Sequence, residues 1–143
     1  MPSATPLLTI DDFLKLPSSE CLRELVRGRV IESKLPKVLH GMVCGRILTR
    51  LGPALEQSDF VATARCGVVT HREPDTVRGP DLLIYPRHKL LSLAQAGDGY
   101  ANFPPVIVFE VLDAGERWLD VMEKGIGGAP PLCQSEVGYA AGS

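Results

Sequence analysis

Residues 104–112 read PPVIVFEVL, an apolar run interrupted by one acidic residue, Glu110. A second run of this kind, PDLLIY, occupies residues 80–85 and carries Asp81 at its start. Unbroken apolar runs of this length are typical of strands buried on both faces of a sheet. Because burial of an ionised carboxylate is costly unless the group is paired or bound to a cation, the two acids indicate a functional site.

If the two strands are neighbours in one sheet, Asp81 and Glu110 can lie side by side. Such a pair of oxygen ligands suits Mg²⁺ or Mn²⁺, and a backbone carbonyl near Val111 can add a ligand. A metal ion bound there polarises a phosphoryl oxygen and activates a water molecule, which is the chemistry of phosphodiester hydrolysis. The alternative for Asp81 is a solvated carboxylate at a strand start, since Pro80 precedes it.

The rest of the chain predicts a small mixed domain of helices and strands. The other predicted elements are a short helix capped by Thr9 and Asp12, a β-hairpin over residues 22–32, a helix over 38–55, strands at 60–63 and 67–70, a loop over 92–105 and a helix beginning near Ala114. The helix over 38–55 has the clearest pattern, because its apolar residues recur every three or four positions.

Length and charge bound the possible functions. The chain has 143 residues and a formal net charge of -2, so it is the size of one domain and has no uniformly basic coat. Residues 22–50 nevertheless contain seven basic and two acidic residues. This stretch is either a solvated surface or a surface that faces phosphates, with Arg23, Arg27, Arg46 and Arg50 as the candidate contacts.

Several classes of protein are disfavoured. The sequence has no apolar run long enough for a membrane span and no signal peptide, which predicts a cytoplasmic protein. It also lacks a C-x-x-C pair, a G-x-S-x-G elbow, a P-loop and a G-x-G-x-x-G motif. The scattered cysteines are expected to be reduced and buried as small apolar side chains.

Several stretches together resemble the Uma family of restriction endonuclease-like proteins, which have the PD-(D/E)XK nuclease-like fold. The matching stretches are TIDDFL at residues 9–14, RELVRGRV at 23–30, His40-Gly41, VRGPDL at 77–82, PPVIVFEVL at 104–112 and Glu123-Lys124. The resemblance implies an α+β fold, a restriction-endonuclease-like mixed sheet flanked by helices. It also implies a DNA endonuclease in which Asp81 and Glu110 bind the metal ion.

The resemblance suggests roles for three further residues. Glu24 matches an acid of the family's hairpin and either joins the site or pairs with a neighbouring arginine across the strands. The lysine of the wider nuclease pattern is replaced by Leu112, and Lys124 is the family's alternative, either as a charge stabiliser or as a solvated helix end. His40 either contacts phosphate or serves as a cap or packing residue.

The last nineteen residues, 125–143, are rich in Gly, Pro and Ala and continue no periodic pattern. We therefore expect an incomplete endonuclease-like domain over residues 1–124, an irregular tail over 125–143, and no final strand. A frameshift, a premature end or a truncated gene copy would explain such a tail, and translation of the downstream DNA in its other frames would test that hypothesis.

Three functions remain open at this stage. The first is a Mg²⁺-dependent endonuclease acting on DNA, with no membrane partner and with a homodimer as one possible assembly. The second is a degenerate, non-catalytic domain that binds nucleic acid or protein, and the third is an inactive remnant. Metal-dependent cleavage separates the first from the other two, and salt-sensitive DNA binding separates the second from the third.

Overall fold

The computed structural model describes residues 6–97, 99–113, 115 and the backbone of 139–140. The helices are α1 (Ile10–Leu14), α2 (Val38–Glu56) and α3 (Arg87–Ala96). The strands are β1 (Leu22–Val26), β2 (Arg29–Ser33), β3 (Phe60–Ala64), β4 (Val68–His71), β5 (Thr76–Arg78), β6 (Leu82–Pro86), β7 (Ile107–Phe109), β8 (Val111–Leu112) and β9 (Tyr139–Ala140).

The described strands form three sheets. The first has the order β2-β1-β5-β4 and the second β3-β6-β7, and all strand pairs within these two sheets are antiparallel. The third sheet is the parallel pair of β8 and β9. These sheets and the flanking helices give the predicted α+β architecture.

Local sequence accounts for the ends of the first elements. The Thr9 side chain accepts a hydrogen bond from the Asp12 N–H, and the Asp12 carboxylate accepts one from the Thr9 N–H, which is the predicted capping box. The hairpin turn consists of Arg27 and Gly28, whose φ angles of 50° and 72° match the left-handed turn that joins twisted strands.

Two buried clusters hold the sheets and helices together. Ile10 and Phe13 of α1 pack on Leu25 of β1 and Val77 of β5. The second cluster contains Val68 of β4, Leu83 and Tyr85 of β6, and Ala101. Strand β6 is buried along Leu82–Tyr85, as its unbroken apolar run predicted.

The structure differs from the sequence-based prediction after β6. Residues 92–96, predicted as part of a loop, complete α3, because Leu90 and Leu93 lie one turn apart and pack on the second cluster. Cys21 and Cys66 are exposed rather than buried. None of the helices in the described residues is long and apolar enough to cross a membrane.

The tail is described only at residues 139–140. Their backbone pairs with β8 in the register Val111↔Tyr139 and Leu112↔Ala140, so this part of the segment predicted to be irregular forms a two-residue strand. A pairing of two residues can be held by backbone hydrogen bonds alone, without alternating apolar side chains. The sequence therefore shows no periodic pattern at this point. The helix predicted near Ala114 and the boundary predicted at residue 124 lie outside the described residues.

Candidate metal centre

Strands β6 and β7 bring the two acidic residues together. The pairs Leu82↔Phe109, Leu83↔Val108 and Ile84↔Ile107 define the antiparallel register. Asp81 directly precedes β6 and Glu110 directly follows β7, so both residues lie at the same end of the two paired strands.

Glu110 lies in surroundings that disfavour its ionised form. Burial raises the pKa of the Glu110 carboxyl to about 8, and the nearby charge of Asp81, a side-chain hydrogen bond with Asp81 and the charge of Glu24 act in the same direction. The guanidinium of Arg78 opposes them and lowers the pKa of Glu110. Asp81, Glu110 and Glu24 thus lie close together, and the positive charge of Arg78 does not offset their mutual repulsion.

Asp81 is held in place from two sides. Its Oδ2 accepts a hydrogen bond of 2.8 Å from the Val111 N–H and lies 3.0 Å from Nε2 of His40. The Asp81 side chain retains 14% of its exposure. The carboxylate is therefore fixed but still reachable from solvent.

Helix α2 supplies His40 and Cys44 to the same place. These residues are four apart, so they share one face of the helix, and the Cys44 Sγ lies 3.7 Å from Nδ1 of His40. The His40 side chain is only 9% exposed. Burial, followed by the charge of Asp81, raises the pKa of the Cys44 thiol, whereas Arg65 lowers it.

Glu24 lies next to the two acids and is also paired across strands. Glu24 of β1 and Arg78 of β5 flank the paired residues Leu25 and Val77, and the Glu24 Oε2 lies 3.0 Å from the Arg78 Nη1. Its Oε1 accepts a 2.7 Å hydrogen bond from the Gly79 N–H. Both sequence interpretations of Glu24 are thus compatible with its position, because it pairs with an arginine and also raises the pKa of Glu110.

The predicted phosphate contacts are spread over two elements. Arg23 is engaged within the hairpin, where its Nε donates to Glu32 at 2.7 Å and its Nη1 to the Pro17 carbonyl at 2.8 Å. Arg27, in the hairpin turn, and Arg46 and Arg50 of α2 are exposed. His40 does not join them on the exposed surface, since it is buried against Asp81. Lys124 lies outside the described residues.

Cys44, Arg65 and Arg78 were missed by the sequence-based reasoning. The spacing of Cys44 from His40 on a predicted helix was the available signal for the thiol. Arg78 lies three residues before Asp81 in the quoted motif, where a cross-strand partner for Glu24 could have been sought. The Arg65 N–H donates to the Asp81 carbonyl at 3.1 Å, and no local pattern predicts this contact between distant residues.

The residues present fit a divalent cation. Asp81 and Glu110 offer hard oxygen ligands on adjacent strands, and their mutual repulsion would be relieved by a positive ion between them. His40, Cys44 and Asp81 also form a group whose ligand atoms, one from each residue, lie within 4.8 Å of one another. The end of the β6–β7 pair is therefore a candidate metal centre.

Comparisons with known proteins identify relatives of this architecture. The family model Uma2, described as "Putative restriction endonuclease", matches residues 10–125. Among solved structures, the chain is similar to a protein from Anabaena variabilis ATCC 29413 described as "a putative nuclease belonging to DUF820". A search of curated proteins finds no match.

The structural similarity confirms the predicted fold. The two chains share 19% sequence identity with a TM-score of 0.65, and the match covers 82% of this chain. The chain spans 65% of the length of the solved protein, which is less than two thirds. At this identity the similarity shows the restriction-endonuclease-like fold and leaves the chemistry to be argued from the site.

Proposed function

The chain belongs to the Uma2 family of restriction endonuclease-like proteins, and from this premise we propose that it is a metal-dependent endonuclease that hydrolyses phosphodiester bonds of DNA. The observation that carries the proposal is the proximity of Asp81, which precedes β6, and Glu110, which follows its partner strand β7 and feels the charge of Asp81. Burial and the charge of Asp81 raise the pKa of Glu110, and a cation bound between the two carboxylates would relieve their repulsion.

In this proposal Asp81 and Glu110 bind Mg²⁺ or Mn²⁺, and the backbone carbonyl of Val111 adds a ligand. The metal ion would supply polarisation of the phosphoryl oxygen and activation of a water molecule. The Val111 N–H and His40 keep the Asp81 carboxylate in one orientation, since both contact its Oδ2. Glu24 supports the site by holding Arg78 beside Glu110.

A positively charged side chain is also needed to stabilise the negative charge that develops on the phosphate in the transition state. The proposal assigns this role to Lys124, with Arg27, Arg46 and Arg50 contacting the backbone of the substrate. Such contacts position the nucleic acid and do not select its sequence.

A nuclease assay with Mg²⁺ and with Mn²⁺ tests the proposal. We expect cleavage of duplex DNA by the wild type, and roughly 100-fold or greater loss in Asp81→Asn and in Glu110→Gln, because the metal site supplies several kcal/mol of transition-state stabilisation. Glu56→Gln is the matched control, since it removes an exposed carboxylate at the end of α2. Equal cleavage by the two site variants and the wild type would refute the proposed roles.

A second candidate function is a non-catalytic domain that binds nucleic acid. Leu112 favours it, because a half-buried leucine of β8 occupies the place of the lysine in the wider nuclease pattern. This candidate predicts salt-sensitive DNA binding without cleavage in any divalent metal. The same assay, combined with a binding titration, decides between the two functions.

A further inference from the structure

We propose that His40, Cys44 and Asp81 form a binding site for a zinc-class ion, and that occupancy of this site excludes magnesium because both ions need Asp81. The exclusion rests on the proposed function, whereas zinc binding itself does not. The residues come from two elements: α2 provides the imidazole and the thiol, and the start of β6 provides the carboxylate.

The chemistry of the three side chains separates this site from the magnesium site. Mg²⁺ takes oxygen ligands in an octahedral arrangement and has little affinity for a thiol. Zn²⁺ and Co²⁺ bind imidazole nitrogen, thiolate sulfur and carboxylate oxygen in tetrahedral sites. A nitrogen, a sulfur and an oxygen ligand meet at this position, and this combination selects the softer ion.

The distances permit a common ion if the side chains of His40 and Cys44 rotate. The ligand atoms of one tetrahedral zinc ion lie about 3.3–3.8 Å apart, given bond lengths of about 2.0–2.3 Å. Here the Cys44 Sγ lies 3.7 Å from Nδ1 of His40. The other ring nitrogen, Nε2, lies 3.0 Å from Oδ2 of Asp81. One ligand atom from each residue lies within 4.8 Å of the others. Because a single ring nitrogen binds a given ion, the site would close through rotation of the His40 ring and the half-buried Cys44 side chain, with metal bonds replacing the His40–Asp81 hydrogen bond.

The arrangement resembles an open site rather than a closed structural one. Three protein ligands leave a fourth tetrahedral position for water, as in zinc sites with an open coordination position. The Asp81 carboxylate retains solvent access, so an ion can enter. Because Asp81 is shared, a bound zinc ion would act as an inhibitor of a magnesium-dependent reaction.

Zinc binding can be measured directly by competition with a chromophoric chelator. We expect one tightly bound Zn²⁺ per chain in the wild type, and at least about tenfold weaker binding in Cys44→Ser, since even the loss of a residue supporting a metal ligand costs that much. Cys21→Ser is the matched control, because Cys21 is exposed and lies outside the three-residue group. Equal zinc affinity in Cys44→Ser and the wild type would overturn the proposal.

Two measurements on the wild-type chain keep the test decisive if Cys44→Ser does not fold. Co²⁺ should produce a thiolate-to-cobalt charge-transfer band, and Zn²⁺ should protect Cys44 from alkylation by iodoacetamide while the exposed Cys66 still reacts. Absence of both the band and the protection would overturn zinc binding at this site.

Competition is tested separately. Added Mg²⁺ should weaken the apparent zinc affinity, and Cys44→Ser should raise the zinc concentration that inhibits cleavage at least about tenfold. Zinc affinity that is independent of Mg²⁺ would overturn the sharing of Asp81. If the wild type cleaves no DNA, the proposed function fails, while the alkylation and cobalt results still decide whether zinc binds.

Discussion

Glu110 lies in surroundings that disfavour the ionised form of its side chain. Burial and the charge of Asp81 raise its pKa to about 8 from an ordinary value of 4.5. The folded, metal-free protein therefore holds a proton on Glu110 at neutral pH that the unfolded chain has released. This difference has consequences for stability that do not depend on activity.

We expect the metal-free protein to lose stability as the pH rises. Between a pH of 4.5 and about 8 the folded state binds more protons at Glu110 than the unfolded state, so the stabilisation that Glu110 contributes is lost across this window and the free energy of unfolding falls. Urea unfolding in EDTA at several pH values measures this dependence. A free energy of unfolding that rises across the same window would contradict the expected sign.

The variant Glu110→Gln separates the contribution of Glu110 to stability from that of other titrating groups. The variant should unfold at a higher temperature than the wild type in EDTA at about pH 8, because the amide removes the repulsion with Asp81. It should also lose most of the stabilisation that Mg²⁺ gives the wild type, since binding to the folded state stabilises it by mass action. Glu56→Gln serves as the control, and an equal response of the three proteins to Mg²⁺ would contradict a role for Glu110 in metal binding.

The hairpin turn requires a glycine at residue 28, whereas helix α2 has room for a side chain at Gly45. Gly28 has a φ of 72°, and a Cβ placed there would lie 2.7 Å from the Cβ of Leu7. Its backbone also bonds to Leu8 and Asp75 at 2.8 Å each, so the turn joins three segments. Gly45 of α2 has no neighbour within 4 Å of such a Cβ.

We expect Gly28→Ala to destabilise the protein by about 1–3 kcal/mol, because the left-handed conformation and the contact with Leu7 both oppose a side chain. Gly45→Ala should instead stabilise it by about 0.5–1 kcal/mol, since alanine favours the helix. Chemical denaturation of the two variants beside the wild type measures both effects. Equal stability of the two variants would contradict this account of the turn.

Elements that depend on residues close together in the sequence were predicted, and elements that depend on distant residues were not. The capping box of α1, the hairpin and α2 were all predicted, because each depends on residues within a few positions of one another. Helix α3 was not predicted, since its apolar pattern is weak and Leu90 and Leu93 are held by a distant cluster. The pairing of residues 139–140 with β8 has no local signal at all.

Across the whole molecule, the candidate site combines predictable and unpredictable parts. The proximity of Asp81 and Glu110 was predicted, because two apolar runs that each carry one acid can be neighbouring strands and the family resemblance implies that the two acids form one site. The approach of His40 and Cys44 was not, since it depends on how α2 packs beside the strands. Burial of His40, in particular, cannot be deduced from a helix whose neighbouring residues Leu39 and Met42 are 60% and 65% exposed.

The exposed arginines of α2 provide a test of where the protein binds nucleic acid. We expect the double variant Arg46→Ala/Arg50→Ala to bind DNA more weakly and to reduce the salt dependence of binding by about two ions, because each phosphate contact releases roughly one counterion. Arg72→Ala is the control, as its side chain is 59% exposed but lies near the β4–β5 turn. An unchanged salt dependence in the double variant would place the DNA on another surface.

In the proposed function, Asp81 and Glu110 together bind one divalent metal ion. Titration of Mn²⁺ followed by electron paramagnetic resonance measures this binding without reference to cleavage. We expect one Mn²⁺ bound per wild-type chain, at least about tenfold weaker binding in both Asp81→Asn and Glu110→Gln, and unchanged binding in Glu56→Gln. Wild-type affinity for Mn²⁺ in either site variant would contradict the claim.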